Sequence, residues 1–270
     1  MQRSAIPGVQ AVSARSGHAF ARHTHEQFGI GVMRAGAQVS HSGRGQVEAG
    51  PGYVITVNPG EVHDGAPIGD GERAWQMLYL DPGVVAACAA DIAGDGPPPD
   101  DVGILSRTLR YAFEHPARNQ PDLARSVLAL YAQVTADASR LACDALLLRV
   151  LAQAGGTASR DCDGVPASLR HAIALIDDDP AAALSLADLA HASGQSRYQV
   201  LRAFSRATGL TPHAYQMQRR LLLARGLIRQ GMALADAAAL GGFSDQSHMT
   251  RLFVRAYGVS PRRYALAAGN

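Results

Sequence analysis

With 270 residues, 47% of them hydrophobic, the chain can bury two compact cores and should fold unaided. No stretch approaches the ~18 apolar residues of a membrane helix, and the opening MQRSAIPGVQAV lacks the apolar run of a secretion signal, so a cytoplasmic protein without a membrane partner is expected. The formal charge of +2 hides a segregation: residues 181–270 hold 11 Arg against Asp188, Asp236 and Asp245, net +8, while residues 1–180 hold 14 Arg against 20 acids, net −6.

A segment so basic is the electrostatic footprint of a polyanion partner, because every phosphate neutralised releases counterions. The chain has no lysine, so a GC-rich genome accounts for the identity of the cations but not for their segregation. Residues 1 to about 82 are rich in glycine and β-formers, and QFGIGVM, GYVITV and WQMLYL read as strands of a sandwich or barrel. From about residue 101 the texture turns helical: DVGILSRTLRYAFEH, then PDLARSVLALYAQVTADASRLACDALLLRVLAQ, with apolar residues three and four apart. Cys88, Cys143 and Cys162 are an odd number at wide spacing, which gives neither a disulfide framework nor a structural zinc cluster, so reduced thiols are expected. Residues 155–165 lie in a stretch with breakers and no periodicity, and read as a linker. The expected fold is two-domain α+β: an N-terminal domain over 1–154 (barrel about 1–82, helices about 101–153) and an all-α domain over 166–270.

The second domain contains a repeat. LADLAHASGQSRYQVLRAFSRATGLTPHAY (186–215) aligns with LADAAALGGFSDQSHMTRLFVRAYGVSPRRY (234–264): Leu186, Ala190 and Gly194 match Leu234, Ala238 and Gly242 at an offset of 48, and Arg202, Phe204, Gly209, Pro212 and Tyr215 match Arg251, Phe253, Gly258, Pro261 and Tyr264 at 49. Each copy predicts a short helix, a turn at the glycine, and a second helix starting near Ser196 or Ser244, which is helix-turn-helix geometry. Ser185 and Asp188 form a capping pattern at the first start. Helical spacing turns Val200, Phe204 and Ala207 inward, and likewise Met249, Phe253 and Ala256. It leaves Arg197, Tyr198, Leu201 and Arg202 on the outer face of one helix, and Gln246, Ser247, Thr250 and Arg251 on that of the other, side chains suited to base edges. Thr211 and Pro212 start a connecting helix expected over 211–229, a rod able to set two readers into successive major grooves.

Residues 166–268 resemble the DNA-binding domain of AraC/XylS-type transcriptional regulators, through S-R-x-x-V-x-R-x-F, G-L-T-P-x-x-Y, G-F-S-D-Q-S-H-M-T-R-x-F and G-V-S-P-x-x-Y. Val254 and Ala265 depart from the basic residues common at those places. The resemblance implies two helix-turn-helix units binding double-stranded promoter DNA. The base-contact candidates it adds by position are Tyr198, Leu201 and Arg202, then Gln246, Ser247, His248, Thr250 and Arg251. It also implies a sensor for a small-molecule effector, a homodimer, and contact with RNA polymerase if the protein is an activator.

HTHE at 23–26 and GYVITVNPGEVHDG at 52–65 resemble the half-motifs of a cupin barrel. If 23–26 is a strand, His23 and His25 share a face, and His63 could converge on them. Three imidazoles would suit a divalent metal, yet Gly29 stands where the cupin pattern places a glutamate. The favoured reading is an effector pocket using His23, His25, Glu26 and His63, with no metal or other cofactor; structural histidines are the alternative. Trp75, Tyr53 and Tyr79 are candidates to line it. An enzyme is not expected: a cupin oxygenase would need its metal, and an alkyl-accepting repair protein an activated, clustered cysteine site. An architectural DNA protein would lack sequence preference.

Overall fold

The structure is a computed structural model that describes residues 4, 6–94, 111–136, 139–157 and 165–268. The chain divides into two compact units, residues 1–19 with 24–160 and residues 20–23 with 161–270. No helix among the described residues is long and apolar enough to cross a membrane.

In the first unit, the main sheet orders β1 (Val9–Ser16), β8 (Arg73–Leu80), β3 (Phe28–Ala35), β6 (Val54–Val57) and β10 (Ala117–Arg118) as β1-β8-β3-β6-β10. A second sheet carries β7 (His63–Pro67), β4 (Gln38–Ser42) and β5 (Gly45–Ala49) in the order β7-β4-β5. The three stretches read as strands are thus β3, β6 and β8. Strand β3 is buried from Phe28 through Met33, as a central strand packed on both faces must be. Its glycines allow that packing: a Cβ on Gly31 would fall 2.3 Å from the Gln76 carbonyl oxygen, and one on Gly29 would fall 2.5 Å from Val57.

One face of the main sheet is covered by α2 (Pro121–Thr135) and α3 (Arg140–Ala154), after α1 (Pro82–Ala93). Phe28, Ile30, Leu78 and Leu80 from the strands bury themselves against Leu123, Val127, Leu130, Val150 and Leu151 from the helices. The expected helix beginning at residue 101 is corrected in part. Tyr111–Phe113 is strand β9, paired antiparallel with β11 (Gly155–Thr157), so the first residues assigned to the linker are strand as well. Residues 101–110 and 158–164 lie outside the described residues. Tyr111 and Phe113 stack edge-on against Phe28 at 5.8 and 5.7 Å, and the Tyr111 hydroxyl donates to the Leu151 carbonyl at 2.8 Å. Burying those rings outweighs the helical pattern of the local sequence. Cys143 is buried, and burial pushes the Cys88 thiol up to about 11, so Cys88 stays protonated at neutral pH.

The second unit is helical apart from β2 (Phe20–His23): α4 (Ala167–Asp178), α5 (Leu186–Ser193), α6 (Arg197–Thr208), α7 (Pro212–Arg229), α8 (Leu234–Leu240), α9 (Gln246–Tyr257) and α10 (Pro261–Ala268). Two apolar clusters hold it. Leu169, Ala172, Ile176, Leu189, Val200 and Phe204 form one. The other joins Leu221, Ala224 and Ile228 of α7 to Ala237, Ala238, Met249, Phe253 and Tyr264.

Candidate nucleic-acid interface

The two copies of the repeat are two helix-turn-helix units, α5–α6 and α8–α9. Helix α5 starts on a capping box: the Asp188 N–H donates to Ser185 Oγ at 3.3 Å, and the Ser185 N–H donates to the Asp188 carboxylate at 2.8 Å. The Ser185 hydroxyl, which donates to the Asp188 carboxylate at 2.7 Å, and the Ser185 N–H hold that carboxyl below its usual range. Gly194 closes the helix at φ 64°, a left-handed conformation that only glycine adopts without strain. Helix α6 starts on a second capping box, between Ser196 and Gln199. Each such cap is worth about 0.5–2 kcal/mol.

In the second unit α8 gives way to Gly242 at φ 75°. Helix α9, expected to start near Ser244, has Asp245 as its N-cap: the His248 N–H donates to its carboxylate at 2.7 Å and holds that carboxyl below its usual range. The inserted residue therefore lies in the turn. One residue separates Gly194 from its cap Ser196, and two, Phe243 and Ser244, separate Gly242 from Asp245.

Spacing sorts the faces as expected. Val200, Phe204, Met249 and Phe253 are fully buried, while Arg197, Tyr198 and Arg202 stand exposed on α6 with Leu201 half-buried beside them. Tyr198 keeps 66% of its surface in solvent, an unusual position for an aromatic ring with only core-forming work. The Arg202 guanidinium lies over that ring, 5.7 Å from its centre. With Gln195, Gln199 and Arg206 they line an open groove of about 310 Å³.

On α9, Gln246, Ser247 and Arg251 are exposed and Thr250 is half-buried. His248 is drawn inward, its ring edge-on to Phe243 at 5.6 Å and its Nδ1 3.1 Å from Ser244 Oγ. Helix α7 runs 18 residues from its cap, the Thr211 hydroxyl accepting from the Ala214 N–H at 3.2 Å. At ~1.5 Å per residue that is a rod of ~27 Å. Tyr215 donates to Asp177 of α4 at 2.9 Å, and Arg219 Nε lies 2.9 Å from the same oxygen. Burial and that carboxylate raise the Tyr215 phenol well above its usual range.

Among the expected effector residues, His25 and His63 stand together in the first unit, while His23 belongs to β2 and the second. His25 sits just past strand β2 rather than within a regular strand, and its ring centre is 5.2 Å from those of His63 and Tyr79. Burial lowers the His63 pKa, so its imidazole is neutral at pH 7. A neutral imidazole is a donor a divalent transition metal accepts. The carboxylate of the cupin metal pattern has no counterpart at Gly29, where a side chain would run into Val57 and Met77. Glu26 is exposed, apart from the buried His25.

Sequence reasoning passed over Arg220. Its guanidinium donates to the carbonyls of Pro180 at 2.8 Å, Gly242 at 2.5 Å, Ala181 at 3.2 Å and Ala182 at 3.0 Å. The only sequence signal was its place in the connecting helix.

Residues 6–151 match the family described as AraC-like ligand binding domain, and residues 189–267 match one described as helix-turn-helix domain. The chain is 25% identical over 235 residues to the uncharacterized HTH-type transcriptional regulator YbfI of Bacillus subtilis, a match covering 85% of this chain and 81% of YbfI. It is 36% identical over 101 residues to the HTH-type transcriptional activator RhaS of Escherichia fergusonii, 37% of this chain and 36% of RhaS. The solved structure of ToxT from Vibrio cholerae has the same fold, at a TM-score of 0.59 and 13% identity over 96% of this chain and 98% of ToxT. With a sensor-domain match across more than half its length and a duplicated helix-turn-helix behind it, the chain belongs to the AraC family of DNA-binding transcriptional regulators.

Proposed function

We propose that residues 166–270 read promoter DNA through α6 and α9 as a pair, with α7 setting them into successive major grooves. The carrying observation is the duplication itself: two units with matching buried positions and a left-handed glycine in each turn, each presenting an arginine and hydrogen-bonding side chains on its outer face. Arg197, Tyr198, Leu201 and Arg202 serve the first contact; Gln246, Ser247, Thr250 and Arg251 serve the second, with His248 at its edge. Arg202 and Arg251 suit guanine O6/N7, Gln246 suits adenine N6/N7, and Leu201 a thymine methyl.

Genome-wide mapping of bound DNA followed by footprinting tests this reading. Arg202→Ala or Arg251→Ala should each cost about 1–3 kcal/mol on the mapped site and relax base preference within one sub-site only. Equal affinity of the wild type for specific and scrambled duplexes would defeat the proposal.

In the first unit the effector's polar group meets His25 and His63, with Tyr79 close by, while Glu26 faces solvent. Effector binding acts by favouring one of two arrangements of the regulator for which it has different affinity. The protein works as a cytoplasmic homodimer paired through α2 and α3, where Leu141 stands 79% exposed, and engages RNA polymerase if it activates. It is no enzyme: its relatives are transcriptional regulators, and the histidine group lacks the fourth ligand of the metal-bearing cupin pattern.

A further inference from the structure

We infer that Arg220 is the positioning residue that fixes the angle between the two helix-turn-helix units, and so sets the spacing that the DNA site must have. The inference rests on the reading of α6 and α9 as DNA readers. A straight helix such as α7 fixes a separation along its own axis. The second unit already packs on α7 through its apolar cluster, and the first meets it where Tyr215 lies edge-on to Phe204 at 5.3 Å; a direct tie between the two units, whose turns onto α7 lie at Gly209 (φ 74°) and Gly231 (φ 88°), fixes the angle between them.

Arg220 supplies the tie. Three of its four carbonyl acceptors, Pro180, Ala181 and Ala182, lie in the loop that leads into α5 of the first unit; the fourth, Gly242, is the turn of the second. One guanidinium therefore bridges both units from the middle of the helix that separates them. Gln216, a turn earlier on α7, adds donations to Pro180 at 3.2 Å and Ala182 at 2.8 Å. The two backbones also touch at this point: a Cβ on Gly242 would fall 2.8 Å from the Ala181 Cα and 3.1 Å from the Arg220 Cζ.

The chemistry asks for arginine. A planar fork with five N–H donors can serve several carbonyls spread around it, whereas a lysine presents three donors from one atom and cannot span the same set. With its donors committed to carbonyls inside the unit, Arg220 is set apart from the exposed arginines that can meet phosphate.

The test uses the full chain and three duplexes: the mapped bipartite site, the same site with about half a helical turn (~5 base pairs) inserted between sub-sites, and one with the second sub-site scrambled. In fluorescence anisotropy titrations the wild type should prefer the intact site by ~100-fold or more, as linked modules do when geometry permits both to engage. Arg220→Ala should cut that preference by about tenfold or more, while affinity for the half-site duplex stays within about twofold. Arg220→Lys should recover part of the preference. Gly242→Ala, acting on the opposite side of the joint, should reproduce the loss. Far-UV circular dichroism and melting curves report folding; if Arg220→Ala does not fold, Arg220→Lys and Gly242→Ala decide the question. Folded variants that keep the full spacing penalty would overturn the inference, and so would a parallel fall in half-site and bipartite affinity, the mark of plain destabilisation. Failure of the underlying reading looks different: the wild type itself would bind all three duplexes alike.

Discussion

Raising the salt from 50 to 200 mM should weaken binding of this protein to its DNA site by about 10³-fold. Of the 11 arginines in residues 181–270, Arg219 lies against Asp177, Arg220 donates to four carbonyls, and Arg225 lies over the rings of Tyr257 and Tyr264 at 5.4 and 5.9 Å. Arg202 and Arg251 are proposed to meet bases. Arg197, Arg206, Arg229, Arg262 and Arg263 are exposed, so on the order of five phosphate contacts can form. At a slope of about −0.9 per contact the logarithm of the affinity should fall about five units for each decade of salt. A slope shallower than about −2 in the same titration would show that the segregated charge does not act on DNA. Replacing one phosphate-facing arginine should reduce the slope by about one and weaken all sequences alike.

Phe253→Ala should cost the second unit about 3–5 kcal/mol. The ring is fully buried, 4.6 Å from Tyr257 and 5.6 Å from Tyr264, in the cluster that joins α7, α8, α9 and α10. Truncation leaves a cavity where four helices meet, and the surrounding aromatic rings can collapse into it only in part. A domain holds about 5–15 kcal/mol in all, so the unit becomes marginal, and its melting temperature should fall by at least about 12 °C. Thermal circular dichroism on the full chain measures this, and DNA binding should fail at temperatures where the wild type still binds. Phe204, buried equally in the other cluster, should behave alike. A cost below about 1 kcal/mol at either position would mean that the cluster repacks around the gap.

The parts of the fold visible in the sequence were those written locally. A capping box occupies four consecutive residues, a left-handed glycine advertises itself, and helical spacing sorts Val200 and Phe204 from Arg197 and Tyr198 before any neighbour is known. Duplication then made each local reading a check on the other. What escaped depended on residues far apart. Tyr111–Phe113 follows a helical pattern and forms a strand because its partner, Gly155–Thr157, arrives more than forty residues later and Phe28 offers its rings a face. The sequence showed an inserted residue but not that it lengthens the turn before the second cap, Asp245. Arg220 carried no mark beyond its place in the connecting helix, since its acceptors are backbone oxygens, and backbone oxygens leave no trace in composition or spacing. His25 and His63 stand close although His25 lies outside a regular strand, while the exposure of Glu26 shows what adjacency alone is worth.

The two readers are alike in scaffold and unlike in surface: a tyrosine with an arginine laid over it on one, glutamine, serine and threonine on the other, with a longer turn before the second. A single chain so built has a head and a tail. Its preferred sequence cannot be a palindrome, and turning that sequence end for end would reverse the direction in which the bound protein points along the chromosome. Whatever the front domain presents would then face the opposite neighbour, so the orientation of the site, and not only its presence, belongs to the regulatory message.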